Sequence, residues 1–259
     1  MQKIKSIIQR LRRVNEISPP EEQTQDFDVG TKNLDTREKW LEKSLMTIPE
    51  GKKILDAGAG ELQYKKFCKH LKYISQDFGQ YDGQGNEAGL QTQTWDNTKL
   101  DIVSDIADIP VKDSSFDAIM CIEVFEHIPH PNDAVKEFSR IIKKDGTLII
   151  TTPVSSITHF APYYFYNGYT RYYFEKLLGE NGFKVKEISY NGNFFEYLAQ
   201  ELRRMDYVGE RYTKSFIPLS EEENKAKNTI LNKLQELTDN DNGSSELLSL
   251  GIMVVAEKQ

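Results

Sequence analysis

Cysteine is nearly absent: Cys68 and Cys121 are the only two in 259 residues. Both lie in segments that read as a buried helix or strand. They make neither a disulfide framework nor a metal-ligand spacing, so no metal is expected and a reducing cytoplasm is the simplest compartment. No apolar run reaches membrane-spanning length, and the N-terminus lacks the uninterrupted apolar core of a signal peptide, so stable membrane insertion is not expected. Basic charge is in deficit too, with 33 Lys and Arg against 40 Asp and Glu, net −7. That balance argues against a nucleic-acid partner bound by phosphate neutralisation. Internal repeats are missing, as is any Ser-His-Asp or Cys-His arrangement for a covalent intermediate. What remains, 38% hydrophobic and 28% charged, describes an ordinary, slightly acidic globular chain able to bury one sizeable core.

The first fourteen residues, MQKIKSIIQRLRRV, set Ile4, Ile7, Ile8, Leu11 and Val14 on one helical stripe among five basic residues. This reads as a short basic amphipathic helix that packs on its own domain or supports a homo-oligomer. Residues 15–35 turn polar and carry Pro19-Pro20, as a linker does, so 1–36 reads as an N-terminal arm and 37–259 as one domain. A helix is expected from about Thr36, with Trp40, Leu41 and Leu45 inward. From Lys52 onward short apolar runs alternate with helical patterns, the signature of a doubly wound α/β sheet. Strands are expected at KKILDAG, KYISQD, LDIVSD, SFDAIMCIE, GTLIITTP and FKVKEISY, with LLSLGIMVVAEK as an edge or antiparallel member. Helices are expected over 62–70, over 131–143 with a stop at Asp145-Gly146, from about Thr170, and over NGNFFEYLAQELRRM. Residues 79–100 form a polar, Gly-rich insertion where a crossover helix would stand, and a loop that long is usually functional or mobile.

The stretch ILDAGAGEL, residues 54–62, decides what the sheet binds. An apolar run stops at Asp56 and two glycines follow at alternate positions, which turns the chain sharply and lets a ligand reach its backbone. A dinucleotide fingerprint wants a third glycine where Gln63 stands, and Asp56 would repel its phosphates. A cationic ligand carrying an ammonium or sulfonium gains from that carboxylate. Asp77 closes the second strand at the spacing where an acid meets ribose hydroxyls. Asp105-Ile106 follows the third strand, an acid and an apolar residue suited to an adenine amino group and ring. Glu123, then Glu126-His127, end the fourth. Four strands thus carry acids at their carboxyl ends, on the rim where this architecture binds ligands.

With ILDAGAG, Asp77, SDIADIP, FDAIMCIEVFEHI and IIKKDGTLIITTP in this order, the chain resembles the class I S-adenosylmethionine-dependent methyltransferases from about Lys52 to Phe183. The likeness is to the large group acting on small molecules. It implies a seven-stranded, mostly parallel Rossmann-like sheet with one antiparallel strand, and S-adenosyl-L-methionine as methyl donor. The implied cofactor contacts are Asp56, Ala57, Gly58, Gly60, Asp77, Phe78, Asp105, Ile106 and Glu123. The insertion at 79–100 departs from the family pattern and bears on the adenine-side contacts near Phe78 and Gln80.

Methyl transfer needs alignment of nucleophile, methyl and sulfur, and a base if the nucleophile is a hydroxyl. His127 and His159 follow strands that end at the rim and are the candidate bases, the alternative for each being a structural hydrogen-bonding role. After the fifth strand, Tyr163, Tyr164, Tyr166 and Tyr169 offer flat faces with hydroxyl tips to an acceptor, the alternative being that some pack the following helix on the sheet. Residues 155–245 therefore read as acceptor-side elements, and Asn191-Gly192-Asn193 as a border of the pocket. The function expected is methyl transfer to an oxygen of a small molecule, a sugar or glycan precursor first. The rivals are a nicotinamide-dependent oxidoreductase and a non-catalytic adenosyl-binding protein.

Overall fold

The computed structural model describes residues 27–259; the basic helix read over the first fourteen residues, and the oligomer contact assigned to it, lie outside them. The elements run α1 (Asn33–Leu45), β1 (Lys53–Ala57), β2 (Lys72–Asp77), β3 (Ile102–Val103), β4 (Phe116–Ile122), α2 (Pro131–Ile141), β5 (Ile142–Pro153), α3 (Arg171–Glu180), β6 (Phe183–Asn191), α4 (Phe194–Tyr212), α5 (Glu221–Asp239) and β7 (Gly251–Lys258). One seven-stranded sheet holds them in the order β3-β2-β1-β4-β5-β7-β6. β1 pairs in parallel with β2 and β4, whereas β7 is antiparallel to both β5 and β6. The chain end is therefore an interior strand and not an edge. Its first four residues are buried, as a strand with neighbours on both sides requires.

Alternation along the strands makes two cores. Leu55, Ile119, Cys121, Leu148, Ile150 and Val254 face α2 and α3, where Phe138, Ile141, Phe174 and Leu178 meet them. Ile54, Ala118, Met120, Ile122 and Ile149 face Leu41 and Leu45 of α1, with Tyr64 and Cys68. The period of two thus turns Asp56 toward the α1 side, away from Leu55 and Ala57.

The structure departs from the sequence reading at residues 62–70, at the end of α2, and in adding helix α5. Residues 62–70 do not form an α-helix, because Leu62 sits at φ 64° and only a 3₁₀ segment, Gln63–Phe67, follows; Leu62, Lys65 and Cys68 each donate to the carbonyl three residues back. Helix α2 ends at Ile141, and Lys143 to Asp145 already belong to β5. Phe116 pairs with Ile142, and the register then shifts before Ala118 pairs with Thr147. That shift takes up the extra residues that looked like a helix C-terminus.

The arm also reaches further into the fold than its composition suggests. Residues 27–31 pack on α4 and α5, where Val29, Ala199, Leu231 and Leu234 form a third cluster. Arg203 donates to the Val29 and Phe27 carbonyls at 2.9 Å each. Gly30 has φ +78°, and a Cβ there would lie 2.4 Å from the Gln200 backbone nitrogen. Gly30→Ala is expected to lower stability by about 2–3 kcal/mol, from left-handed strain and a displaced backbone contact. Gly51→Ala, also at positive φ but with nothing within 4 Å, should pay the strain alone, about 1 kcal/mol. Urea midpoints of the two variants check the difference, and equal midpoints would mean that the arm does not dock as described.

Candidate functional site

The glycine turn joins β1 to the rim. Gly58 and Ala59 donate their N–H groups to the Gln76 carbonyl at 2.8 and 2.9 Å, so β2 holds the turn. Gly58 has φ +80°, and a Cβ there would stand 2.5 Å from Val124, just beyond β4. Gly60, at φ +49°, leaves room for the Trp95 indole, 2.5 Å from where its Cβ would be. The 79–100 insertion therefore lies over the turn. With no α-helix after the glycines, the turn also lacks the helix N-terminus on which a pyrophosphate rests.

Asp77, at the end of β2, locks the turn to the next loop. One carboxylate oxygen accepts the Gly60 N–H at 3.0 Å and the other accepts the Gly79 N–H at 2.9 Å. It is buried, which raises its pKa, while these backbone bonds pull it back. Each oxygen keeps a second lone pair for a ligand hydroxyl. Asp56, expected at the ligand, lies beneath the turn: it is 1% exposed and accepts the Tyr73 hydroxyl at 2.6 Å. Strand parity sends its side chain into the α1-side layer, and burial pushes its carboxyl up to about 7. Ala57 is fully buried in the opposite core.

The remaining residues expected at the cofactor occupy the rim. Asp105 is exposed and caps its own loop by accepting the Ala107 N–H at 2.8 Å, and Ile106 packs against the larger core. Phe78 meets Tyr163 edge to face, with centroids 4.9 Å apart. Glu123, at φ 55°, accepts the Thr151 hydroxyl at 2.7 Å and faces Arg37 at 3.3 Å. Arg37 is a residue that sequence reasoning missed. It is 5% exposed and its Nε has no hydrogen-bond partner among the described residues; nothing in the periodicity of α1 marks it, since a helical arginine is ordinarily solvated. Asn191 is not at the pocket. It is buried and donates to the Asn33 side chain and carbonyl, tying β6 to α1, while Asn193 caps α4.

Beyond β4 and β5 the structure brings Glu126, His127 and His159 together. The Glu126 Oε1 stands 3.9 Å from His127 Nε2 and 3.8 Å from His159 Nε2. Each imidazole donates its Nδ1–H to a backbone carbonyl, His127 to Tyr163 at 2.5 Å and His159 to Ile157 at 2.9 Å. A carbonyl can only accept, so the Nε2 lone pairs of the neutral rings point at the carboxylate. Burial pushes His127 down to about 4 and lowers His159, while burial and the Glu123 charge raise Glu126. The wall around them is aromatic. Phe160 stacks on His127 at 5.3 Å and on Tyr81 at 4.7 Å, and Trp95 meets Phe160 edge-on at 5.4 Å.

The four tyrosines divide. Tyr164 lies 5.1 Å from the His159 ring and donates its hydroxyl to the Ser156 carbonyl; Tyr163 bridges Phe78 and His127. Tyr166 is turned outward and donates to the Pro129 carbonyl. Tyr169 is core: it is 6% exposed, and its hydroxyl donates to the Phe125 carbonyl at 2.8 Å, so it has no face for an acceptor. The insertion completes the wall. Leu90 bridges the His159 loop through Leu90 N–H to the Thr158 carbonyl and Phe160 N–H to the Leu90 carbonyl. Tyr81, Trp95 and Phe160 carry no strand or helix pattern, and only the loop's packing reveals them.

Residues 55–150 match the model of the methyltransferase domain family. A ubiquinone biosynthesis O-methyltransferase of Xanthomonas oryzae pv. oryzae is 31% identical over 64 residues, 25% of this chain and 26% of that protein. One of Glaesserella parasuis is 43% identical over 37 residues, 14% and 16% of the two chains. The match thus spans about a quarter or less of these curated relatives. Among solved structures, an S-adenosylmethionine-dependent methyltransferase from Archaeoglobus fulgidus superposes with TM-score 0.51 at 16% identity, covering 86% of this chain and 94% of that one. The [4+2]-cyclase SpnF superposes at 0.54 and 16%, covering 99% and 94%. Likeness at that identity speaks for the fold alone, which also serves a [4+2]-cyclase. Residues 55–150 thus match a methyltransferase domain, and the sheet built around them shares the fold of the S-adenosylmethionine-dependent methyltransferase from Archaeoglobus fulgidus.

Proposed function

We propose that the protein transfers the methyl group of S-adenosylmethionine to an oxygen of a small-molecule acceptor, with sugars and other glycan precursors the first class to test. The observation that supports this best is the continuity of the rim. From Gly60 through Trp95 and Phe160 to His127, one run of contacts connects the glycine turn to the lone pairs of the Glu126–His127–His159 group. A donor held by the turn and Asp77 would present its methyl toward that group. The O-methyltransferase relatives favour oxygen as the methylated atom.

The chemistry asks little covalent work of the chain. An oxygen lone pair forms the new carbon–oxygen bond as the methyl–sulfur bond breaks, its electron pair staying on sulfur, and the hydroxyl proton is released. The enzyme contributes alignment and an exit for that proton. His127 and His159, unprotonated at neutral pH because they are buried, and Glu126 beside them, supply the lone-pair atoms there. Tyr163, Tyr164 and Phe160 supply an apolar wall around that group.

Calorimetric titration with S-adenosylhomocysteine, in parallel with the nicotinamide dinucleotides, tests the reading. Micromolar binding of the adenosyl ligand alone, about −8 kcal/mol, is expected. Dinucleotide binding in its place would make the protein an oxidoreductase. An acceptor screen by methyl-transfer turnover then separates an enzyme from a binding protein.

A further inference from the structure

We propose that Glu126, His127 and His159 form a divalent transition-metal site, Zn²⁺ first among the candidates, whose open position receives the acceptor hydroxyl. The inference deepens the methyl-transfer reading, while the site itself stands on its own geometry. One ligand atom from each residue lies within 4.8 Å of the others. An ion about 2.0–2.2 Å from its ligands holds them no more than about 4.4 Å apart. The separations of 3.9 and 3.8 Å from Glu126 already satisfy that limit.

The donor inventory is the stronger argument. Both Nδ1–H groups are spent on backbone carbonyls, so each neutral ring turns an acceptor toward Glu126. The carboxylate has no donor of its own, and among the described residues only the Thr152 hydroxyl donates to it, at 3.5 Å. Three acceptors converging where water is scarce repel one another unless something positive stands between them. A single shared proton can satisfy one imidazole and leaves the other unpaired; a divalent cation satisfies all three. The backbone carbonyls then play the part that outer-shell partners play at metal-bound histidines, fixing ring orientation and tautomer.

The donor set of two imidazoles and one carboxylate suits Zn²⁺ and neighbouring transition metals, and three protein ligands leave at least one position free. Access comes from the rim, where the His127 and His159 side chains retain 15% and 13% exposure while Glu126 keeps 2%. A hydroxyl coordinated there loses its proton to solvent more readily, because the cation stabilises the oxyanion. Its oxygen then attacks the sulfonium methyl as above. No spacing in the sequence shows the site, since the two histidines come from loops after different strands, β4 and β5.

The test uses the full chain, freed of metal by chelator dialysis and titrated with Co²⁺ and with Zn²⁺. One equivalent of Co²⁺ is expected to give visible d–d absorption that Zn²⁺ abolishes by displacement. His127→Ala and His159→Ala should each weaken binding by more than about 100-fold, beyond what loss of an outer-shell partner does. A featureless Co²⁺ titration of the wild type, or unchanged affinity in the two folded variants, would overturn the site. Should the variants fail to fold, the wild-type spectrum and the Zn²⁺ competition decide alone. S-adenosylhomocysteine is titrated into the same metal-free protein. Its binding without metal binding removes the metal site and keeps the methyl-transfer reading; the reverse result does the opposite.

Discussion

Asp77→Ala should lose S-adenosylhomocysteine affinity by at least about 100-fold, roughly 2.7 kcal/mol, in a chain that still folds. Two effects act together. The substitution removes the acid proposed to meet the ribose, and it releases the Gly60 and Gly79 N–H groups that its two oxygens hold at 3.0 and 2.9 Å. A hydrogen bond to a charged group contributes about 1.5–3 kcal/mol, and an orphaned buried donor costs about 1–3 kcal/mol. The turn is therefore expected to move as well as lose its ligand contact. The fold should survive, because Gly58 and Ala59 remain anchored on the Gln76 carbonyl and the two cores do not include Asp77. Calorimetry for binding and circular dichroism for folding provide the readouts. Affinity near the wild type's in folded Asp77→Ala would remove Asp77 from the cofactor site.

Asp56→Asn should change how stability depends on pH. Burial raises the folded carboxyl from 3.8 to about 7, against the Tyr73 hydroxyl bond that favours ionisation. Between those values the folded chain keeps a proton that the unfolded chain has released, so stability falls as pH rises from about 4 to about 7. Below that window the group is neutral in both states and contributes no penalty. A difference of that size corresponds to on the order of 4 kcal/mol. Asparagine cannot ionise, and its carbonyl can still accept the Tyr73 hydroxyl. The variant should therefore gain on the wild type between about pH 4 and pH 7 and level off above it, as urea unfolding at pH 4 and pH 7 would show. Parallel curves for the two proteins would mean that the buried acid is ionised throughout.

The two acids illustrate how far residue patterns reach. ILDAGAGEL announces a strand, a tight turn and a ligand rim, because glycines at alternate positions and an apolar run have few other uses. Asp56 and Asp77 look equivalent in the sequence, each closing a strand beside that turn. Their fates differ by parity and by neighbours: Asp56 points into the α1-side layer under Tyr73, whereas Asp77 grips two backbone amides at the rim. Likewise the tyrosines after β5 read as one aromatic run, yet Tyr169 is sealed in the core while Tyr164 stands by His159. Their alternation with glycine and asparagine has no single period, so no face could be assigned to them beforehand.

Local pattern was enough for the α/β class, most strand positions and the places of α3 and α4, since each rests on periodicity or on a residue's own backbone preference. Tertiary structure alone decided the rest. It put β7 between β5 and β6, because antiparallel pairing with both is a long-range choice. It laid the 79–100 loop over Gly60 through Trp95, and it docked residues 27–31 against α4 through a glycine that admits no side chain. Above all it set His159 beside Glu126 and His127. Parallel strands β4 and β5 bring their carboxyl ends together across a helix and a crossover, and contacts made at that separation leave no periodic trace in the chain.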